Sequence, residues 1–560
     1  MKMTGLPAIH FFTTKTLRAM TIVAVALSAG ALFAGGQVFW QEGGISIRDS
    51  TADPVGLEIV PDGSGGAIVV WADDRGHPPG PDLYVQRIDS SGAKLWPDSG
   101  VAACQPPEAA IWPMAAADGA GGVVMCWEEA FRLNAQRMTG SGTRCWGDSS
   151  VVVFDTALMD LDRPRMCSDG RGGCVVLWVM NYNDSIVLRA QYMDSLGQRA
   201  WGSRGKRIAR DLALYGSEGV ADLGSLGFVF TWISDSGEIY AQRLDAAGSA
   251  VWTMPVCSGV PVYGYPVIVQ MDEGVLVCWT DLRNGDWDVY AQKLSPAGSP
   301  LWAQNGVPVC RAAGQQGGNM EYSLESVRAV GLADGGALVA FYDQGRGRTA
   351  ISCQRLSANG DMMWDSTGVE AGRVMDKDSL FDSRWFGLVP DTTGGAIVTW
   401  PRYLPSDSSQ IWAQHLSAAG LPCWDTGVCI SEYASYNGLP LFRTTTDAKD
   451  GAIGCWRDLR FDWPYWSVYA QRYGDAPGGV AESHVGQPGA RLRMAASIAR
   501  DVLFVQEDAR YAPQVGYILL DLSGRKIMAL HPGPNDVRTL AAGVYFVKEA
   551  QAVRKVVVTR

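Results

Sequence analysis

The stretch "GQVFWQEGGISI", Gly36 to Ile47, stands near the start of the chain yet has the form of a repeat's end. Its counterparts lie far downstream: "SPLWAQNGVPVC" and "GDMMWDSTGVEA" show the same apolar run ending in Trp, three spacer residues, Gly and renewed apolar alternation. A chain that opens with the tail of its own repeat implies a head that lacks one at the other end. Eight copies of the pattern run from about Gly56 to Gly474, and a Gln marks the third strand of each: Gln86, Gln136, Gln191, Gln242, Gln292, Gln354, Gln414 and Gln471. Ten residues after each of the first seven comes a Trp: Trp96, Trp146, Trp201, Trp252, Trp302, Trp364 and Trp424. Ten residues after the eighth Gln stands Ala481, in a polar linker.

A spacing held through seven copies while other loops vary predicts a turn of fixed length. The connecting sequences "DSSGAK", "DAAGSA", "SPAGSP" and "SAAGLP" supply the Gly that a tight hairpin needs at positive φ. An aromatic also closes the second strand of each copy: Trp71, Trp127, Trp178, Trp232, Trp279, Phe341, Trp400 and Trp456. Each unit therefore reads as four antiparallel strands, with turns such as "DGSGG", "DGAGG", "DGRGG" and "DTTGG" between the first two. A lone four-stranded sheet cannot hide such strands, so neighbouring sheets must stack. The missing fourth strand of the last copy is supplied by the opening stretch, because Trp40 and Gly44 match Trp96 and Gly100, Trp302 and Gly306, and Trp364 and Gly368. Such a strand would close a ring and remove exposed edges. Burying about 200 Å² of indole is worth at most roughly 5 kcal/mol, so replacing Trp40 is expected to weaken the closure.

This arrangement resembles a β-propeller closed by a strand from the other end of the chain, here eight-bladed over residues 37–474. It matches neither the Trp-Asp nor the kelch signature closely. The expected fold class is all-β: an eight-bladed β-propeller closed by an N-terminal strand, followed by a small Ig-like β-sandwich. After the linker, 475–488, the segment 489–560 changes character. Its "LLDLSGRKI" and "LAAGVYFVKEAQAVRKVVV" resemble the two characteristic stretches of the C-terminal sorting domain of type IX secretion, with "IARDVLFVQ" as its first strand and the usual Pro-Asn-Pro entry absent. The motif positions are Asp521, Ser523, Gly524, Arg525, Gly543, Tyr545 and Phe546. The resemblance implies export through the periplasm, recognition by secretion machinery at the outer membrane, and an extracellular or cell-surface location; a plain structural sandwich is the other reading.

Composition agrees. Among 560 residues there are 66 Gly and 21 Trp, suited to short strands, tight turns and large buried aromatics. A net charge of -11 argues against a nucleic-acid partner, which calls for clustered Lys and Arg. Lys2, Lys15 and Arg18 precede the apolar run "AMTIVAVALSAGALFAGG", read as a signal peptide over 1–36 and leaving no membrane span after its removal. The first cysteine is Cys104, which leaves none near the cleavage region for a lipid anchor. Export permits disulfides, but Cys126, Cys278 and Cys455 share one repeat position, as do Cys104 and Cys310, and equivalent positions of separate blades do not meet. Small buried hydrophobes are the expectation.

For chemistry, the chain after residue 36 holds four histidines, His77, His415, His484 and His531, too scattered for a Ser/His/Asp arrangement. His415 reads as a blade-surface residue. The candidate binding positions follow the second-strand aromatic: "WADDR", "WTDLR", "FYDQGR" and "WRDLR" place Asp73 and Arg75, Asp281 and Arg283, Asp343 and Arg346, and Asp458 and Arg460 on one loop face. Residues two apart point to one side, so each Asp and Arg can pair locally and order the loop, or present a face to carbohydrate or protein. Glycosidases need two carboxylates across a scissile bond. Asp73 and Asp74, or Glu128 and Glu129, are adjacent and so point to opposite faces. "DLRNGDWD" is rich in oxygens but lacks the calcium-loop Gly and Glu positions. No catalytic residue, metal site or cofactor is read. The expectation is a non-enzymatic propeller that binds a carbohydrate or protein partner or serves as a surface scaffold; the alternative is a secreted polysaccharide-active hydrolase or lyase.

Overall fold

A computed structural model describes residues 35–476, apart from segments at 49–53, 76–80, 105–109, 130–131, 156–160, 183–184, 214–217, 261, 263, 318–325, 346–347, 376–385, 405–408, 432–440 and 459–466. Beyond them it describes 497–499, 502–505, 517–521, 525–531, 533–541, 543–549 and 552–558. Nearly all of the segment read as a signal peptide, and of the linker, lies outside the described residues. No helix among the described residues is long and apolar enough to cross a membrane. The chain divides into two compact units, Met1–Ala481 and Glu482–Arg560.

The first unit is all-β. Its described residues form eight antiparallel sheets, numbered here in chain order, whose strands pair in sequence order. Sheet 5 shows why. Val267–Met271, Gly274–Asp281, Asp288–Leu294 and Val307–Pro308 follow one another across short turns, and every residue of the two central strands is buried. Strands apolar on both faces need a neighbour on each side. The first strand of each sheet packs against the first strand of the next, and that of sheet 8, Phe442–Thr446, packs against that of sheet 1, Pro54–Pro61. The eight sheets thus form a closed cycle with their first strands innermost, an arrangement consistent with propeller blades.

The opening stretch lies where the repeat predicts. Gly36–Val38 and Ile45–Ser46 both pair antiparallel with Ser467–Asp475 of sheet 8, with Gln37 opposite Gly474 and Ile45 opposite Ala470. The Trp40 amide donates to Oε1 of Gln471 at 2.9 Å, across 431 residues of sequence. The same bond joins Trp96 to Gln86, Trp146 to Gln136 and Trp364 to Gln354 at 3.0–3.1 Å, each across ten residues. Gly44, at φ +85°, sits so close to Trp456 that an added Cβ would lie 2.6 Å from the ring, as at Gly100 against Trp71 and Gly306 against Trp279. Trp40 is one wall of an apolar core shared by sheets 8 and 1, with Ile59, Val69, Trp71, Ile453 and Val468.

No disulfide joins the twelve cysteines. Cys126, Cys278 and Cys455 are fully buried, and burial raises each thiol far above its ordinary range. They behave as small hydrophobes.

In the second unit, Ser497–Ala499, Ala552–Val558, Gly543–Glu549, Tyr517–Leu520 and Lys526–Leu530 make one five-stranded sheet in that order, and Val502–Val505 pairs with Gly533–Asp536. The two motif stretches are its two hairpins. Asp521 and Arg525 bracket the first turn with two hydrogen bonds and an ion pair at 3.3 Å, while Ser523 and Gly524 lie outside the described residues. In the second hairpin, the Tyr545 hydroxyl donates to the Ala541 carbonyl at 2.9 Å, and Gly543 and Phe546 lie on the same strand.

Candidate functional site

Two of the four predicted loop-face pairs, Asp73 with Arg75 and Asp281 with Arg283, lie among the described residues, and both close on themselves. Asp281 has no solvent exposure; its Oδ2 accepts from the Trp279 indole at 2.9 Å and from Arg283 Nη2 at 2.6 Å. Arg283 lies 3.6 Å above the Tyr290 ring and donates to the Asn305 carbonyl at 2.8 Å. Asp73 repeats this with Trp71 and Arg75, and Arg75 lies 4.0 Å above Tyr84. Burial alone would raise the Asp73 carboxyl; the hydrogen bond and charge of Arg75, with Trp71 and Arg48, outweigh it and hold the group below its ordinary value. Arg48, from the N-terminal segment, pairs with Asp73 at 2.9 Å with neither side chain exposed, a contact sequence reading missed. Asp343 is also fully buried and accepts from Ser352 and the Gly345 amide; Arg346, Arg460 and the Asp458 side chain lie outside the described residues. Asp73, Asp281 and Asp343 are therefore turned inward, with Arg75 and Arg283 capping the first two.

His415 corrects the surface reading. It is buried between two carboxylates, with Nε2 at 2.8 Å from Asp391 and Nδ1 at 3.0 Å from Asp475. The residue after the marker Gln has this task in most copies: Arg87, Arg137, Arg355 and Arg472 pair with Asp62, Asp118, Asp334 and Asp447 of the first turn in the same sheet. Burial lowers the His415 pKa, but its hydrogen bonds to Asp391 and Asp475 prevail and raise it to about 9. Glu129, one of the adjacent acids, is buried and accepts from Asn134. Around the oxygen-rich loop, Asn284 donates to Asp288 at 2.9 Å, and no cluster of three metal-ligating side chains occurs among the described residues.

A different place stands out: a cavity of about 360 Å³ enclosed by first strands of sheets 1, 2, 3, 6, 7 and 8. The strand registers define one position per sheet, opposite the residue before the second-strand aromatic. Going round the ring it is occupied by Glu58, Met114, Arg165, Gly219, Val267, Arg328, Gly387 and Arg443. Six of these eight line the cavity. The outer parts of the sheets repeat; here they do not. Arg443 pairs with Glu58 at 3.0 Å, and Arg328 Nε donates to the Phe386 carbonyl at 3.3 Å. Half-buried Arg165 has no hydrogen-bond or ion-pair partner among the described residues. Trp112 also lines the cavity, 41% exposed and at φ 53°. The signal for this site was in the sequence, as Arg and Glu inside otherwise apolar first strands, but only the register between copies makes them one ring.

No protein-family model matches this sequence, and no curated protein matches it. Among solved structures it is similar to a protein of unknown function from Dyadobacter fermentans, 9% identical over 79% of this chain and 100% of that one, with a TM-score of 0.36. A second is the BP39L lectin from Burkholderia pseudomallei, 11% identical over 69% and 100%, with a TM-score of 0.42. A third is prolyl oligopeptidase B from Galerina marginata, 9% identical over 74% and 56%, with a TM-score of 0.37. At such identities and scores none of them bears on what this chain binds.

Proposed function

We propose that residues 37–474 form an eight-bladed β-propeller closed by the N-terminal strand, that 489–560 form an Ig-like β-sandwich of the sorting type, and that the chain is an exported, non-enzymatic binding or scaffold protein. The observation that carries the binding reading is the central cavity, where the repeat gives way to charged side chains and an exposed indole. Among its described lining residues Glu58 is the one carboxylate, and it is paired with Arg443. Hydrolysis of a glycosidic bond by the usual route calls for two carboxyl groups on either side of it. The lining therefore favours holding a ligand over cleaving one.

The purified chain should be screened on a polysaccharide array, with retention and released reducing ends scored together. Retention without cleavage is expected; turnover would replace this reading with the polysaccharide-active enzyme. For export, the chain cut after Ala481 should fail to reach the surface of a host that has type IX secretion, and normal delivery would show that the second unit is structural only.

A further inference from the structure

We infer that the central cavity binds an oxyanion carried on a sugar ring, that is, an acidic saccharide, with Arg165 taking the charge and Trp112 taking the ring. This rests on the binding-module reading and names its ligand class. Three guanidinium groups share one ring of positions with a single carboxylate, in a chain whose net charge is -11. Glu58 pairs with Arg443, and Arg165 keeps its charge unpaired among the described residues.

Arg165 is the part of this ring that the protein's own groups do not satisfy. It is half-buried at the cavity, and its planar fork suits a bidentate oxyanion. Its strand reaches the cavity through a register shift between Asp162 and Arg165. Shifts at the corresponding place, Val55/Leu57 in sheet 1 and Ile111/Met114 in sheet 2, bend the neighbouring first strands, and bulges of this kind re-aim side chains. In sheet 1 the bulge is accommodated by Gly56 at φ +75°. In sheet 2 it holds Trp112, a bulky residue in the left-handed region at φ 53°, a conformation such residues seldom adopt. The outcome is a large indole left partly open at the cavity. A partly open indole and a guanidinium that line one cavity match a saccharide that presents C–H groups on one side and an oxyanion on its edge. The volume falls within the range of small-ligand sites. A uronate carboxylate and a sulfate ester offer the same chemistry.

Calorimetric titration of the full chain with oligogalacturonate, with its methyl-esterified form and with a sulfated oligosaccharide tests this. At least one acidic ligand should bind tenfold or more tightly than the esterified form, and the stronger of the two identifies the oxyanion. Arg165→Gln should remove that advantage at least tenfold with the thermal midpoint unchanged, since Arg165 is bonded to no other described residue. Arg165→Lys should recover part of it, and Trp112→Ala should weaken every bound ligand. Equal affinity for the esterified form, no binding of either acidic ligand, or undiminished binding by Arg165→Gln would overturn the inference. If the array meanwhile retains a neutral glycan, the binding-module reading stands and only its ligand class is wrong.

Discussion

The indole ten residues after the marker Gln is the joint between sheets. Trp364 is buried, donates from Nε1 to the Ala418 carbonyl of the next sheet at 2.9 Å, and supports Gly420, whose added Cβ would lie 2.7 Å from the ring. Trp146, Trp201, Trp252 and Trp302 make the same bond to the next turn at 3.0–3.1 Å. Trp364→Ala should therefore cost about 4 kcal/mol in chemical denaturation, whereas Trp364→Phe, which keeps most of the packing and loses the hydrogen bond, should cost nearer 1 kcal/mol. Asp281 and Arg165 invite opposite experiments. Removing the buried Asp281 carboxylate strands Arg283, so Asp281→Ala should lower stability by about 3 kcal/mol, with ligand affinity per folded molecule unchanged. A loss of affinity without a loss of stability would place ligand binding on the loop face.

At the scale of the element, the turn between first and second strands is fixed by one Asp. Asp391 Oδ1 accepts from the Thr393 and Gly395 amides, and Oδ2 faces His415. His415 as imidazolium donates from both ring nitrogens. Burial would raise Asp391, but His415 and the turn donors bring it down to about 2. The signs follow from linkage. The histidine's contribution is complete below its ordinary 6.5 and is lost as pH rises through about 9. The Asp391 contribution is complete above its ordinary 3.8 and is lost as pH falls towards 2. Unfolding midpoints should therefore fall between pH 7 and 9.5 in the native chain more than in His415→Gln, which itself should lose about 2 kcal/mol at pH 6. Parallel pH curves for the two proteins would show that His415 is neutral in the fold. Sequence made the turn legible through its Gly pairs and left the histidine obscure. Its partner Asp475 sits 60 positions away, at the seam where the repeat changes chain end.

At the scale of the whole molecule, fold and site differ in how far sequence alone could reach. Gln471 and Trp40 could be matched because a ten-residue spacing recurs in seven local copies, so its one long-range instance has templates. Arg165, Arg328, Arg443 and Glu58 have none, because each sits where the other copies place Met, Gly or Val, and their convergence depends on the closing of the cycle. Closure also explains Asp475. Four residues after Gln471 it takes the Trp424 indole on its carboxylate at 2.7 Å, where other sheets offer a turn carbonyl. Gly36, from the other chain end, occupies the place of the turn glycine against Trp424.

The most direct test of that closure is a disulfide between Gln37→Cys and Gly474→Cys, residues that face each other in the antiparallel register. Such partners have Cα atoms about 4.5–5.5 Å apart, within disulfide reach. Oxidation should give, in high yield, a monomer whose reductant-sensitive loop changes its migration in denaturing gels. The parent chain and a Gln37→Cys/Ser90→Cys pair should give none. Failure of the in-register pair to join, or equal yield from the control, would contradict a ring closed by its own N-terminal strand.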